Sequence, residues 1–335
     1  MVIELLIAFV IAFAIAALVG LFLIPFLRKI KAGQEIREDG PTWHRNKTGT
    51  PTMGGLMFIV AVAVVCLASG ASEMRQGNYR HLFILLFALI FGAVGFLDDF
   101  EKLRKKQNLG LGAKQKFLLQ LVVAVAFIFL LRALGYLKTE FYIPFWNVTV
   151  QVAPPLYIIL AAFITVGTVN AVNITDGVDG LAAGTTIPVC VGFALIAVKW
   201  GGAYLSVGIF ASGLAGGLLG FLIYNFNPAK IFMGDTGSLF LGGAVCAMAF
   251  TMDMPLILIP MGIVYIVETL SDIIQIVYFK ATHGKRFFKM APLHHHLELG
   301  GWSGKKWSEK QLVTLFFCVS AIFAVISYLG VMNRY

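Results

Sequence analysis

Five short clusters hold the side chains best suited to chemistry in this chain of 335 residues. The first is Lys47-Thr48-Gly49-Thr50-Pro51-Thr52-Met53-Gly54-Gly55, and the second is Asp98-Asp99-Phe100-Glu101-Lys102, with Lys114 and Lys116 shortly after it. The third, Asn170-Ala171-Val172-Asn173-Ile174-Thr175-Asp176-Gly177-Val178-Asp179-Gly180, is rich in carboxylates and amides. Phe232-Met233-Gly234-Asp235-Thr236-Gly237-Ser238 and Pro292-Leu293-His294-His295-His296-Leu297-Glu298 complete the set. Acids, amides, lysines and histidines spaced this way suit the handling of phosphate groups with a divalent cation.

Adjacent residues on a helix point about 100° apart. Asp98 and Asp99 therefore serve one site only at a helix end that faces water. A solvated acidic end partnered by Lys102 is the plain reading, but acids at a helix C-terminus oppose the macrodipole. The functional reading is a pair that holds Mg²⁺, activates a nucleophile, or does one of each. In the third cluster two Asp-Gly steps exceed what a single turn requires. Mg²⁺ takes one or two protein carboxylates and completes its shell with water and substrate phosphate, which suits single aspartates spread over several loops. Gly234 to Ser238 would open a helix whose free N–H groups attract an anion, and Asp235 could cap that helix. Consecutive histidines cannot all face one point, and HExxH spacing is absent, so phosphate or ribose contact is preferred to zinc. Glu268 and Asp272 stand four apart in an apolar run, where carboxylates are costly and usually functional. Neither receives a role.

The elements that must position these clusters are apolar. Hydrophobic residues make up 59% of the chain and charged residues only 13%, against about a quarter charged in soluble domains. Apolar runs of roughly 20 residues match a hydrocarbon core of ~30 Å, and the alternation of a barrel is missing. The expectation is one all-α polytopic membrane domain, 1–335, with about ten transmembrane helices: roughly 3–27, 50–70, 80–98, 115–134, 153–172, 181–199, 203–224, 236–252, 254–279 and 312–330. Of the 26 Lys and Arg, 20 fall in the odd-numbered connections. The positive-inside rule then places those connections in the cytoplasm and both termini outside. Every chemical cluster falls on that same side, so the active site is expected in the cytoplasmic loops. The net charge of +9 becomes a topology signal, and no nucleic-acid partner is expected. The four cysteines lie in apolar runs without metal-ligand spacing, and neither zinc nor a disulfide framework is expected. Residues 138–152 could form a short hairpin on the outside.

In this order, PTMGG, DDxxK, NxxNxxDGxDG, FMGDTGSL and PLHHHLE resemble the polyprenyl-phosphate N-acetylhexosamine-1-phosphate transferase superfamily, and the first and last forms resemble its muramoyl branch. The likeness runs from about residue 37 to the last span. It implies transfer of phospho-N-acetylmuramoyl-pentapeptide from UDP-MurNAc-pentapeptide to undecaprenyl phosphate, with Mg²⁺ as cofactor and UMP released. It also implies a homodimer in the bacterial plasma membrane, surrounded by lipid, making the first lipid intermediate of peptidoglycan. By resemblance, Asp235 is the magnesium ligand, and Asp98, Asp99 and Asp235 are the catalytic acids, with Asp98 one proposed general base. Lys47, Asn173, Asp176, Asp179 and Phe232 match a nucleoside pocket, and His294, His295 and His296 a site near the phosphates or sugar. Lys114 or Lys116 would face phosphate. Thr52, Lys102 and Asn170 join the substrate-binding set as polar members of the same motifs. A sister transferase for UDP-N-acetylglucosamine would keep every acidic motif. A secondary transporter would instead need polar residues at the middle of several spans, and here they gather at one face.

Overall fold

The apolar runs fold as α-helices, in which each backbone N–H and C=O finds its partner within its own segment. A computed structural model describes residues 1–30, 32, 33, 47–105, 107 and 110–334. Most of the first basic connection, residues 34–46, lies outside the described residues, as does the start of the family resemblance near residue 37. The helices are α1 (Val2–Lys29), α2 (Leu56–Ala68), α3 (Ala71–Arg75), α4 (Arg80–Lys105), α5 (Ala113–Ala133), α6 (Pro154–Thr175), α7 (Leu181–Trp200), α8 (Leu205–Asn225), α9 (Gly234–Thr251), α10 (Leu258–Met261), α11 (Ile263–Ala281), α12 (Leu293–Glu298) and α13 (Glu309–Val331). The hairpin expected near 138–152 is present: β1 (Glu140–Ile143) pairs antiparallel with β2 (Val148–Gln151), Glu140 opposite Gln151.

Among the described residues seven helices are long and apolar enough to cross a membrane: α1, α4, α5, α6, α7, α13, and α8 with the 3₁₀ turn before it. The pair α10 and α11 gives an eighth if taken as one span, bent by 79°. These elements make the chain a polytopic helical membrane protein. Two of the ten expected spans fall short of the mark for distinct reasons. α2 has 13 residues, about 20 Å at 1.5 Å per residue. α9 has 18 residues and is rich in Gly and Ala, and every residue from Thr236 to Thr251 is buried. A helix apolar on all sides belongs in the middle of a bundle, and α9 packs there against α4 and α6. The 254–279 run, expected as one span, is broken at Gly262, between α10 and α11.

Small residues let these helices meet backbone to backbone. A Cβ on Gly95 of α4 would lie 2.0 Å from the Asp235 carbonyl oxygen, and one on Gly242 of α9 would lie 2.6 Å from the Val169 Cα. The chemical clusters meet at one end of this bundle, at the C-terminal ends of α4 and α6 and the N-terminal ends of α2, α5, α7, α9 and α13. At the opposite end the hairpin clasps α13. The Phe145 N–H donates to the Gly330 carbonyl at 2.8 Å, and the Arg334 guanidinium lies 4.3 Å over the Tyr142 ring. Cys66, Cys190 and Cys246 are buried, whereas Cys318 is on an exposed face; all four are free thiols.

The Gly95 contact makes a test of this packing. Replacing Gly95 by Ala forces α4 away from α9 and should cost about 1–3 kcal/mol, the usual range for overpacking. Thermal unfolding in detergent should show a lower Tm than for Gly167→Ala, where an added Cβ meets nothing within 4 Å.

Candidate active site

The site is built around the N-terminus of α9. The first turn of a helix leaves N–H groups without intrahelical partners, and Met233, at the N-cap position, provides no side-chain cap. Asp99 supplies one from α4. Its Oδ1 accepts from the Asp235 N–H at 3.1 Å, and its Oδ2 accepts from the Thr236 N–H at 2.9 Å and the Thr236 hydroxyl at 2.7 Å. The expectation that Asp235 might cap this helix is therefore corrected: Asp235 lies inside the first turn, and Asp99 is the cap. Gly234 has φ +71°, and a Cβ there would meet Asp99 Oδ2 at 2.5 Å. Glycine is thus required both by conformation and by space.

With Asp99 so engaged, Asp98 and Asp235 are left facing one another. Ligand oxygens of Asp98, Asp99 and Asp235 lie within 4.8 Å of one another. Lys102, one turn after Asp98, places Nζ 2.6 Å from Asp98 and 2.9 Å from Asp235. Lys116 from α5 reaches Asp235 at 2.7 Å. Of the two candidate lysines, then, Lys116 enters the site, and Lys114 is exposed. Asn173 completes the shell by donating to Asp235 Oδ1 at 2.8 Å and to the Ser238 hydroxyl oxygen at 2.7 Å. Asp98 Oδ1 also accepts from the Leu111 N–H at 2.9 Å, which ties in the chain leading into α5.

An all-oxygen donor set suits a hard divalent cation better than a soft one. A lysine ammonium already bridges Asp98 and Asp235, so the place attracts positive charge. The residues therefore fit Mg²⁺, with Asp98 and Asp235 the carboxylates best able to take it.

The PTMGG segment acts through its backbone. The Phe232 N–H donates to the Pro51 carbonyl at 2.8 Å, the Gly54 N–H to the Phe232 carbonyl at 2.8 Å, and the Gly55 N–H to the Met233 carbonyl at 3.0 Å. A Cβ on Gly55 would approach the Gly237 Cα to 2.3 Å, so only glycine admits this contact. Thr52 is buried beside Gly234, and Phe232 is half-buried.

Lys47 and Asp179 belong to a second ionic group. Lys47 Nζ donates to Asp179 Oδ1 and to Glu309 of α13, each at 2.7 Å. Asp179 Oδ2 accepts from the Ala229 N–H at 2.9 Å and the Asn227 amide at 3.2 Å. Asn225 bridges the same loops, accepting from the Gly180 N–H and donating to the Ile231 carbonyl, both at 2.9 Å. Glu309 and Asn225 were missing from the sequence-based set. The acid reads as an ordinary helix-start residue, and the amide as the end of an apolar run. Asn170 turns toward α5, donating to Gln120 Oε1 at 2.6 Å. Asp176 ends α6 half-buried. Burial, followed by the charges of Asp235, Asp99 and Asp179, pushes its carboxyl well above the ordinary range.

The three histidines of α12 take three directions, as expected for consecutive residues. His294 pairs with Glu268 of α11 at 2.8 Å, and His295 with Glu298 at 2.7 Å. His296 Nδ1 accepts from the Lys289 N–H at 3.1 Å, and its ring packs 4.5 Å from that of Trp302. Burial and then the Lys289 ammonium hold His296 below the usual imidazole pKa, and a ring that accepts at Nδ1 has its proton on Nε2.

Residues 81–253 match the family Glycosyl transferase family 4. The chain is 47% identical over 323 residues to a phospho-N-acetylmuramoyl-pentapeptide-transferase of Oceanobacillus iheyensis, covering 96% of each chain. It is 47% identical over 326 residues to the protein of that name from Heliobacterium modesticaldum, covering 97% of this chain and 96% of that one. The protein so named from Clostridium botulinum (strain Alaska E43 / Type E3) is 46% identical over 326 residues, with 96% and 95% covered. A cluster of acids and lysines fit for phosphate and a likeness that spans nearly the whole of both chains agree: this chain belongs to the phospho-N-acetylmuramoyl-pentapeptide-transferase family within Glycosyl transferase family 4, and is a phospho-sugar transferase.

Proposed function

We propose that the chain moves phospho-N-acetylmuramoyl-pentapeptide from UDP-MurNAc-pentapeptide to undecaprenyl phosphate, releasing UMP, with Mg²⁺ as cofactor. The site faces the cytoplasm, and α2, α9 and the bent α10–α11 complete a ten-span arrangement with both termini outside. The observation that carries this reading is the group Asp98, Asp235, Lys102 and Lys116, held together at 2.6 to 2.9 Å at one end of a bundle of apolar helices. Acids and ammonium groups placed together in this way suit the exchange of one phosphoanhydride for another.

In that exchange an oxygen of the lipid phosphate attacks the sugar-bearing phosphorus, and the bond from that phosphorus to the UMP oxygen breaks. Phosphoryl transfer asks a protein chiefly for alignment and charge neutralisation. Asp98 and Asp235 would hold Mg²⁺, which when bound would offset the charge of the diphosphate. Lys102 and Lys116 swing from the carboxylates to phosphate oxygens. Asn173 keeps Asp235 in one orientation throughout. A phosphate monoester has its second pKa near 6, so the attacking group is already mostly a dianion and Asp98 need not remove a proton. Lys47, Asp179 and Glu309 hold the loops that border the nucleoside. A homodimer in the bacterial plasma membrane is part of the same proposal.

The direct test is UMP release by the protein in detergent from UDP-MurNAc-pentapeptide and undecaprenyl phosphate with Mg²⁺. Activity should vanish with EDTA and in Asp235→Asn. UMP formed from UDP-N-acetylglucosamine instead would move the chain to the sister reaction, and none from either donor would overturn the reading.

The neighbouring acids should separate in their effects. Asp98→Asn should lose at least about a hundredfold in kcat, the scale of losing one preorganised charged group, with its Tm unchanged. Asp99→Ala should lower both activity and Tm, since removing a helix cap costs about 1 kcal/mol. Equal effects on Tm would refute this division.

The lysines give a further check. Lys116→Ala should reduce kcat/KM by about a hundredfold, while Lys114→Ala should change it less than about twofold, as surface substitutions generally do. A large loss at Lys114 would show that the exposed lysine moves in during turnover.

A further inference from the structure

One polar group of the helical bundle has no place in the chemistry described so far. Glu268 is 0% exposed on α11, and its only side-chain partner among the described residues is His294, also 0% exposed. A carboxylate sunk in apolar helices is expensive unless something requires it. Two donors converge on the same oxygen: the His294 ring at 2.8 Å and the His294 backbone N–H at 3.5 Å. An ionised carboxylate only accepts, so Nδ1 donates to it, and in the neutral ring Nε2 presents its lone pair. That Nε2 has no partner among the described residues. It abuts the third cluster, for a Cβ on Gly177 would lie 2.3 Å from it. The glycine beside Asp176 is therefore the surface against which the ring is aimed. A buried nitrogen left unpaired costs about 1–3 kcal/mol, a cost removed when a ligand supplies the missing partner.

We propose that Glu268 is a positioning residue. By accepting the Nδ1–H of His294 it holds the ring with Nε2 against the Asp176–Gly177 turn, where, once that turn gives way to the nucleotide-sugar donor, Nε2 accepts a hydrogen bond from one of its hydroxyl or N–H groups. The proposal rests on the transferase reading for the identity of that donor. Partners that orient a functional imidazole through its other nitrogen commonly influence affinity or activity by 10–100-fold. Asp272, one turn further along α11, is half-buried and lies outside this pair.

The test uses the full chain in detergent and compares Glu268→Met with Glu268→Gln. Methionine keeps the size of the side chain and removes the acceptor. Glutamine keeps an oxygen for the two donors on Oε2 and can place its amide nitrogen on the Oε1 side, where no partner competes among the described residues. Ring ¹⁵N resonances, with His294 assigned by its loss in His294→Gln, report which nitrogen bears the proton. Expected are an Nδ1-protonated ring in the unaltered protein and in Glu268→Gln, and loss of that state in Glu268→Met. The KM for UDP-MurNAc-pentapeptide should rise about tenfold or more in Glu268→Met and stay within about threefold in Glu268→Gln. Adding His294→Gln to Glu268→Met should cause no further loss, because coupled residues are not additive. An unchanged donor KM in Glu268→Met, or losses from the two positions that add independently, would overturn the proposal. If the unaltered protein releases no UMP, the transferase reading falls alone. The ring signal and the affinity for UDP-MurNAc-pentapeptide then decide the role of Glu268.

Discussion

The arrangement depends on one carboxylate that joins two helices. Asp99 reaches from the C-terminal end of α4 to cap the N-terminus of α9, with both of its oxygens accepting. That contact is possible only because Gly95 lets the two helices close to backbone distance and Gly234 leaves room beside the carboxylate. Asp98 and Asp235 are consequently set opposite each other by main-chain geometry rather than by flexible side chains. Groups on rigid elements hold their alignment better than groups on loops, and alignment is the principal demand of phosphoryl transfer. The tight α4–α9 packing and the placement of the Asp98–Asp235 pair therefore have the same cause.

Charge balance follows from this geometry. Three carboxylates near one point repel strongly at the low effective dielectric of a partly buried site. Lys102 and Lys116 relieve that repulsion, and both touch the same Asp235 oxygen. A divalent cation would compete for this oxygen, and a diphosphate would compete for the lysines. Binding the two together exchanges one set of ion pairs for another without leaving a charge uncompensated.

Much of this was legible in the sequence, and what was not has physical reasons. The long apolar runs predicted helices because lipid permits few alternatives, and the clustering of polar motifs at one side predicted a shared site. All ten spans were read from apolar character alone. Such a count cannot separate a buried helix such as α9, or a short one such as α2, from one that meets lipid. The functions of Asp98 and Asp99 could not be divided, since the cap Asp99 provides joins residues 136 and 137 positions apart. The choice between Lys114 and Lys116 depended on helical phase at the start of α5. Glu309 and Asn225 have ordinary local sequence, and only their distant partners give them meaning.

Glu268 and Glu309 show how position changes the value of the same side chain. Glu309 begins α13 at the edge of the site, where a carboxylate at a helix N-terminus is favourable in any case, and Lys47 and the Asp179 N–H add to it. Glu268 lies within α11, beyond the 79° bend, with a single imidazole for a side-chain partner among the described residues. A short apolar side chain there would remove the need to bury charge, and the fold would lose the two hydrogen bonds that His294 of α12 donates to α11. The carboxylate costs more than the packing requires, so its presence has to be explained by what it does to His294.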